Sequence, residues 1–93
     1  MYVAYVGDSE IWKEVIIVHK NYKLIKAREE DLKITQEEFA KRICINKTSY
    51  VYKENGKRKI WVHEANKIVK VLNEIAKEKN LNITYNYNDI FLD

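Results

Sequence analysis

Strand-like alternation marks both ends of this chain, and helical spacing marks its middle. "YVAYV" at 2–6 and "EVIIVH" at 14–19 are rich in β-branched and aromatic residues, and the intervening "GDSEIWK" holds a Gly7–Asp8 turn signal. The pattern predicts an amino-terminal β-hairpin. Asn21 is an N-cap type, and a helix from near Tyr22 would align Tyr22, Ile25 and Arg28. "YKLI" also alternates and reads equally as a continuation of the sheet. Thr35 with Glu38 forms a capping-box signature, Phe39, Ala40 and Ile43 give an apolar face, and acids lead while bases trail, so a helix is expected over 35–43. A second helix is expected from about Glu64 to Lys79, where Ala65, Ile68, Val69, Leu72, Ile75 and Ala76 recur at three- and four-residue spacing. Val71 falls outside that stripe, as a surface hydrophobe would. Leu81, Ile83, Tyr85 and Tyr87 then alternate, giving either a final strand or a loop ending in a docking turn at Ile90–Leu92.

Between these helices the pattern admits two readings. "SYVYKENGKRKIWV" is a good hairpin, because Asn55–Gly56 tolerates the left-handed angles of a type I′ turn. That pairing sets Glu54 opposite Lys57, Tyr52 opposite Lys59, Val51 opposite Ile60 and Tyr50 opposite Trp61, with Tyr50, Tyr52 and Trp61 on one face. The other reading makes 47–54 a helix, with only a weak apolar stripe.

Ninety-three residues make one domain: a hairpin appendage over 1–20, a core over 21–80 and a closing segment over 81–93. Two glycines and no proline leave no room for a linker. The longest apolar run, Val15–Val18, is far short of the roughly 20 residues of a membrane helix. No secretory signal pattern opens the sequence, so a cytoplasmic protein without membrane contact is expected.

Charge sharpens the picture. From Lys41 to Lys59 there are seven basic residues and one acid, Glu54, a local balance of +6 within a total of +3. Such a gradient attracts a phosphate backbone, although a lysine-rich turn can also be merely solvated. Catalytic chemistry is thin. His19 and His63 are far apart, Cys44 stands alone between Ile43 and Ile45, and Glu29, Glu30 and Asp31 are adjacent in sequence. With no glycine-rich nucleotide loop, the sequence offers no enzyme, metal site or cofactor.

Tyr22 to Asp89 resembles the Cro/C1-type helix-turn-helix regulators of the phage-repressor kind. Arg28 stands near that family's first-helix arginine, and "ITQEEFAKRI" matches its second helix. "INKTS" matches the opening of its recognition helix, "ENGKRK" the turn after it, and "NDIF" its closing segment. Three departures stand out: Cys44 occupies the usual glycine of the inter-helix turn, one extra residue lies between Arg28 and Gln36, and Lys53 stands where the recognition helix should bury a hydrophobe, with Val51 and Tyr52 where polar groove-facing residues are expected. The resemblance implies a mainly α helix-turn-helix domain carrying the amino-terminal hairpin. The alternative is a small α+β fold with a central hairpin at 49–62. It further implies that Asn46, Lys47, Thr48, Ser49 and Tyr52 face double-stranded DNA, while Gln36, Lys57 and Arg58 meet phosphates. A homodimer occupying an operator as a transcriptional regulator would follow. The competing function is a small phage or mobile-element protein that binds and inhibits a host protein, through an aromatic face on Tyr50, Tyr52 and Trp61; an assembly subunit is a third.

Overall fold

The computed structural model describes residues 15–17 and 20–92, with side chains from Lys20 onward. It is mainly α-helical. Strand β1 (Val15–Ile17) is followed by α1 (Tyr22–Ile25), which runs on into a π-helical turn over Lys26–Asp31. Then come α2 (Gln36–Arg42), α3 (Lys47–Glu54), β2 (Ile60–Trp61), α4 (Val62–Glu78) and α5 (Tyr87–Phe91). Asn21 caps α1 by accepting from the Leu24 amide at 3.0 Å, so "YKLI" is helix rather than sheet. Thr35 caps α2 through the Glu38 amide at 3.1 Å. Trp61, ahead of α4, donates its amide to Glu64 at 3.0 Å.

The core lies where α4 meets the shorter helices. Leu24, Phe39, Tyr50, Ile60, Ala65, Leu72, Ala76 and Phe91 have no exposed surface. The expected α4 stripe is buried, with Val69 only half-buried. Val71 is buried as well, at 4% exposure, so it offers no partner surface. Residues 81–86 are not a strand; they lead to α5, whose Ile90 and Phe91 dock in the core.

The expected fold class needs correction at both hairpins. The central hairpin at 49–62 does not form, because 47–54 is helix. Burial decided this. A helix sends Tyr50 and Glu54 inward together and Tyr52 outward, whereas a hairpin would have kept both tyrosines on one face. Asn55–Gly56 still supplies a left-handed residue, Gly56 at φ 81°, but uses it to end α3. The Gly56 amide donates to Lys53 O at 3.3 Å and the Lys57 amide to Tyr52 O at 2.8 Å, a Schellman ending. Nor is there an amino-terminal hairpin among the described residues. Val15–Ile17 pairs antiparallel with the distant Ile60–Trp61, and the strand expected at 2–6 lies outside the described residues.

Two of the departures from the family pattern have a backbone account. The extra residue after Arg28 is absorbed by the π turn, in which Leu32 N–H donates to Ala27 O, five residues back, at 2.9 Å. Ile34 N–H reaches Arg28 O at 3.0 Å, and Lys33 takes the left-handed angle between them, at φ 54°. Cys44 ends α2 as Gly56 ends α3: its φ is 65°, its amide meets Lys41 O at 3.1 Å, and the Ile45 amide meets Ala40 O at 3.0 Å. Asn80 ends α4 by the same geometry, at φ 57°.

Candidate nucleic-acid interface

Helix α3 owes its placement to Glu54, the single acid of the basic stretch. Its carboxylate is 1% exposed and accepts from Arg28 Nε at 2.7 Å and Nη2 at 3.1 Å, from Gln36 Nε2 at 2.9 Å, and from the Tyr50 hydroxyl. Arg28 Nη1 also donates to Ile34 O at 2.8 Å. One carboxylate thus ties α3 to the first helix and to the start of α2. A bidentate pair out of water is costly to break, since removing either side leaves a buried charge. Burial works against the Arg28 charge, but the hydrogen bonds and field of Glu54 outweigh it and hold the guanidinium above its ordinary pKa. Burial, reinforced by the Glu54 charge, pushes the Tyr50 hydroxyl well above the usual tyrosine value. The Tyr50 ring packs on Phe39 with centroids 5.3 Å apart, fixing α3 against α2.

With Tyr50 and Glu54 inward, helical geometry turns Thr48, Ser49 and Tyr52 outward. Asn46 starts the helix, its Oδ1 accepting the Ser49 amide at 2.8 Å. Lys47 and Thr48 are exposed beside it. Ser49 is half-buried, and its hydroxyl accepts from Arg58 Nη1 at 3.1 Å. The Tyr52 ring lies under the Arg58 guanidinium, 5.1 Å from ring centroid to Cζ. Lys57 and Lys59 are exposed beyond the helix end. The structure therefore brings Asn46, Lys47, Thr48, Ser49, Tyr52 and Arg58 to one surface. Gln36 sits apart, half-buried, with its amide spent on Glu54.

Lys53, which stands where the family pattern buries a hydrophobe, holds the face from behind. Its ammonium meets Glu64 at 2.9 Å and Lys59 O at 3.0 Å, joining α3 to the start of α4 and to the chain before β2. A lysine where the helix has an inward-leaning position is tolerated because that charge is paired. Nothing in the spacing of Lys53 and Glu64 announced the contact.

Among the described residues, catalytic groups do not assemble. His63 and Cys44 line one shallow hollow of about 190 Å³ with Ile43, Ile45, Lys67 and Ile68. That is smaller than the roughly 300 Å³ at which ligand pockets begin. Among the described residues no cluster of three metal-ligating side chains occurs, and no helix is long and apolar enough to cross a membrane.

Comparison with known proteins agrees with this arrangement. A family model described as "Helix-turn-helix" matches residues 24–78, from Leu24 in α1 to the last residue of α4. No curated protein and no solved structure gives a match. The matched span holds α2, the turn at Cys44, α3 and the helix that braces them. The chain belongs to the Cro/C1-type helix-turn-helix family, whose domain is a non-catalytic DNA-binding module of the transcription-regulator kind.

Proposed function

We propose that the protein recognises a specific DNA sequence by laying α3 in the major groove, and that it regulates transcription by occupying that operator. One observation carries the reading. The single acid between Lys41 and Lys59 is turned inward and paired with Arg28, so the exposed face of the reading element carries positive charge and hydrogen-bonding groups without an opposing carboxylate. Asn46 and Thr48 meet base edges, with Ser49 and Tyr52 on the same DNA-facing side, while Lys47 and Lys57 neutralise phosphates on either side. Arg58 adds its charge at the same edge. Gln36, at the first turn of α2, reaches a phosphate by exchanging Glu54 for it, which leaves the Arg28 pair in place. The helix amino termini of α2 and α3 contribute unpaired amides to the backbone contacts.

One short reading element gives limited affinity, so the protein acts as a homodimer on paired half-sites about 34 Å apart, one turn of duplex. The competing function, inhibition of a host protein, drew on an aromatic face that this fold does not build: Tyr50 is in the core, with no exposed surface.

Selection from a randomised duplex pool tests the proposal. A two-fold symmetric motif should emerge, and Thr48→Ala should change the preferred bases within each half-site. A pool that leaves selection as random as it entered would sink sequence recognition, and a motif with a single half-site would sink the dimer.

A further inference from the structure

Arg58 lies beyond the end of α3 and yet is fastened to it at three points. Its amide donates to Tyr52 O at 3.2 Å, its Nη1 donates to Ser49 Oγ at 3.1 Å, and its guanidinium carbon lies over the Tyr52 ring, 5.1 Å from the centroid. Ser49 and Tyr52 are three residues apart, one ridge of the helix, on the side facing away from Tyr50 and Glu54. The guanidinium is thus folded back over the face that enters the groove. The resemblance to repressors assigned this residue to phosphate. A phosphate would also accept a planar fork, but a phosphate contact gains nothing from a fork folded back onto Ser49 and Tyr52, on the side of α3 turned away from the core. A planar fork fixed in orientation is what reading a base edge needs.

The contacts also leave the right atoms available. Ser49 engages Nη1, and among the described residues Nε and Nη2 have no hydrogen-bond partner. These two form one edge of the fork, able to donate in parallel to two acceptors. In the major groove, guanine presents such a pair, O6 and N7.

We infer that Arg58 reads a guanine in each half-site, with Ser49 and Tyr52 acting as positioning residues that hold its guanidinium in the reading orientation. This deepens the proposed groove recognition and rests on it. The operator should therefore contain one G·C pair per half-site whose identity depends on Arg58.

Selection with the wild type and with Arg58→Lys, Ser49→Ala and Tyr52→Leu decides the matter, together with binding to a selected duplex carrying 7-deazaguanine at that pair. Arg58→Lys keeps the charge and should keep the salt dependence, but lose about tenfold or more in preference for that G·C pair, within the range of one bidentate contact. Ser49→Ala and Tyr52→Leu should relax the same position more than any other. Removing N7 should weaken the wild type by a similar factor and leave Arg58→Lys indifferent. If Arg58→Lys selects the wild-type motif unchanged, Arg58 is a phosphate contact and the inference falls alone. Tighter binding by Ser49→Ala or Tyr52→Leu would also overturn it, by showing that the folded-back guanidinium covers the face. A wild type that selects no sequence overturns the groove reading as well.

Discussion

Three single residues carry consequences out of proportion to their size. Cys44 holds a left-handed backbone, φ 65°, that costs an L-residue about 1–2 kcal/mol, and its side chain is exposed. Cys44→Gly should therefore stabilise the protein by about 1 kcal/mol, read as a higher urea midpoint at unchanged slope. A lower midpoint would show that the side chain contributes more than the backbone loses. Glu54→Ala should act in the opposite direction by about 3–5 kcal/mol, because Arg28 is left charged at 5% exposure. The double variant Arg28→Met, Glu54→Leu should recover part of that loss, and equal losses in single and double would count against an unpaired charge as the cause. Tyr50 makes stability sensitive to alkali. Its folded pKa is raised, by burial first and the Glu54 charge next, so stability is complete below the ordinary tyrosine value of about 10. Above that value the unfolded chain releases a proton that the folded chain keeps, and stability falls by up to about 1.4 kcal/mol per pH unit. Tyr50→Phe should flatten this decline, as measured by urea unfolding across the alkaline range.

At the scale of elements, three helices end alike with three different residues in the left-handed position: Cys44, Gly56 and Asn80. That repetition explains what the sequence could and could not show. The start of α2 was legible because Thr35 caps through its own side chain, a local interaction visible in local sequence, whereas α1, which Asn21 caps in the same way, read equally as a continuation of the sheet. The end of α3 was ambiguous because an Asn–Gly pair serves a hairpin turn and a helix stop equally well. What chose between them was the inward burial of Tyr50 and Glu54 against Arg28 and Phe39, partners up to 26 residues away. Among the candidate site residues, Lys47, Thr48 and Arg58 could be named from the family pattern, whereas the Lys53–Glu64 contact and the placement of Arg58 over Tyr52 depend on tertiary structure. The π turn was invisible for the same reason, since an inserted residue leaves no mark on hydrophobic spacing until the next helix is docked. It should be removable. Deleting Glu30, exposed in that turn, lets Leu32 bond to Ala27 at ordinary helical distance, and should cost little in thermal midpoint. Deleting Glu38 from α2 rotates Phe39 out of the core and should cost several kcal/mol, the scale of losing a buried aromatic. Equal losses from the two deletions would mean that the π turn is required.

Over the whole molecule, charge is segregated: +6 lies between Lys41 and Lys59, and the remainder carries −3. Affinity for duplex DNA should fall steeply with salt, and Lys47→Ala or Lys57→Ala should each lower the logarithmic slope by about 1. Lys26→Ala should leave the slope alone, since that ammonium is already engaged by Asp31 at 3.2 Å. Identical slopes for all three variants would place the DNA elsewhere on the surface. The inward network around Glu54 has one more consequence. Its partners, Arg28, Gln36 and Tyr50, approach from the core side, so Thr48 and Tyr52 contribute almost nothing to holding the helix in place. On the proposed reading, substitutions at those two positions should change DNA preference at nearly unchanged stability, as read by duplex selection and by the urea midpoint. Descendants of such a chain are free to change their genetic targets while their architecture stands still.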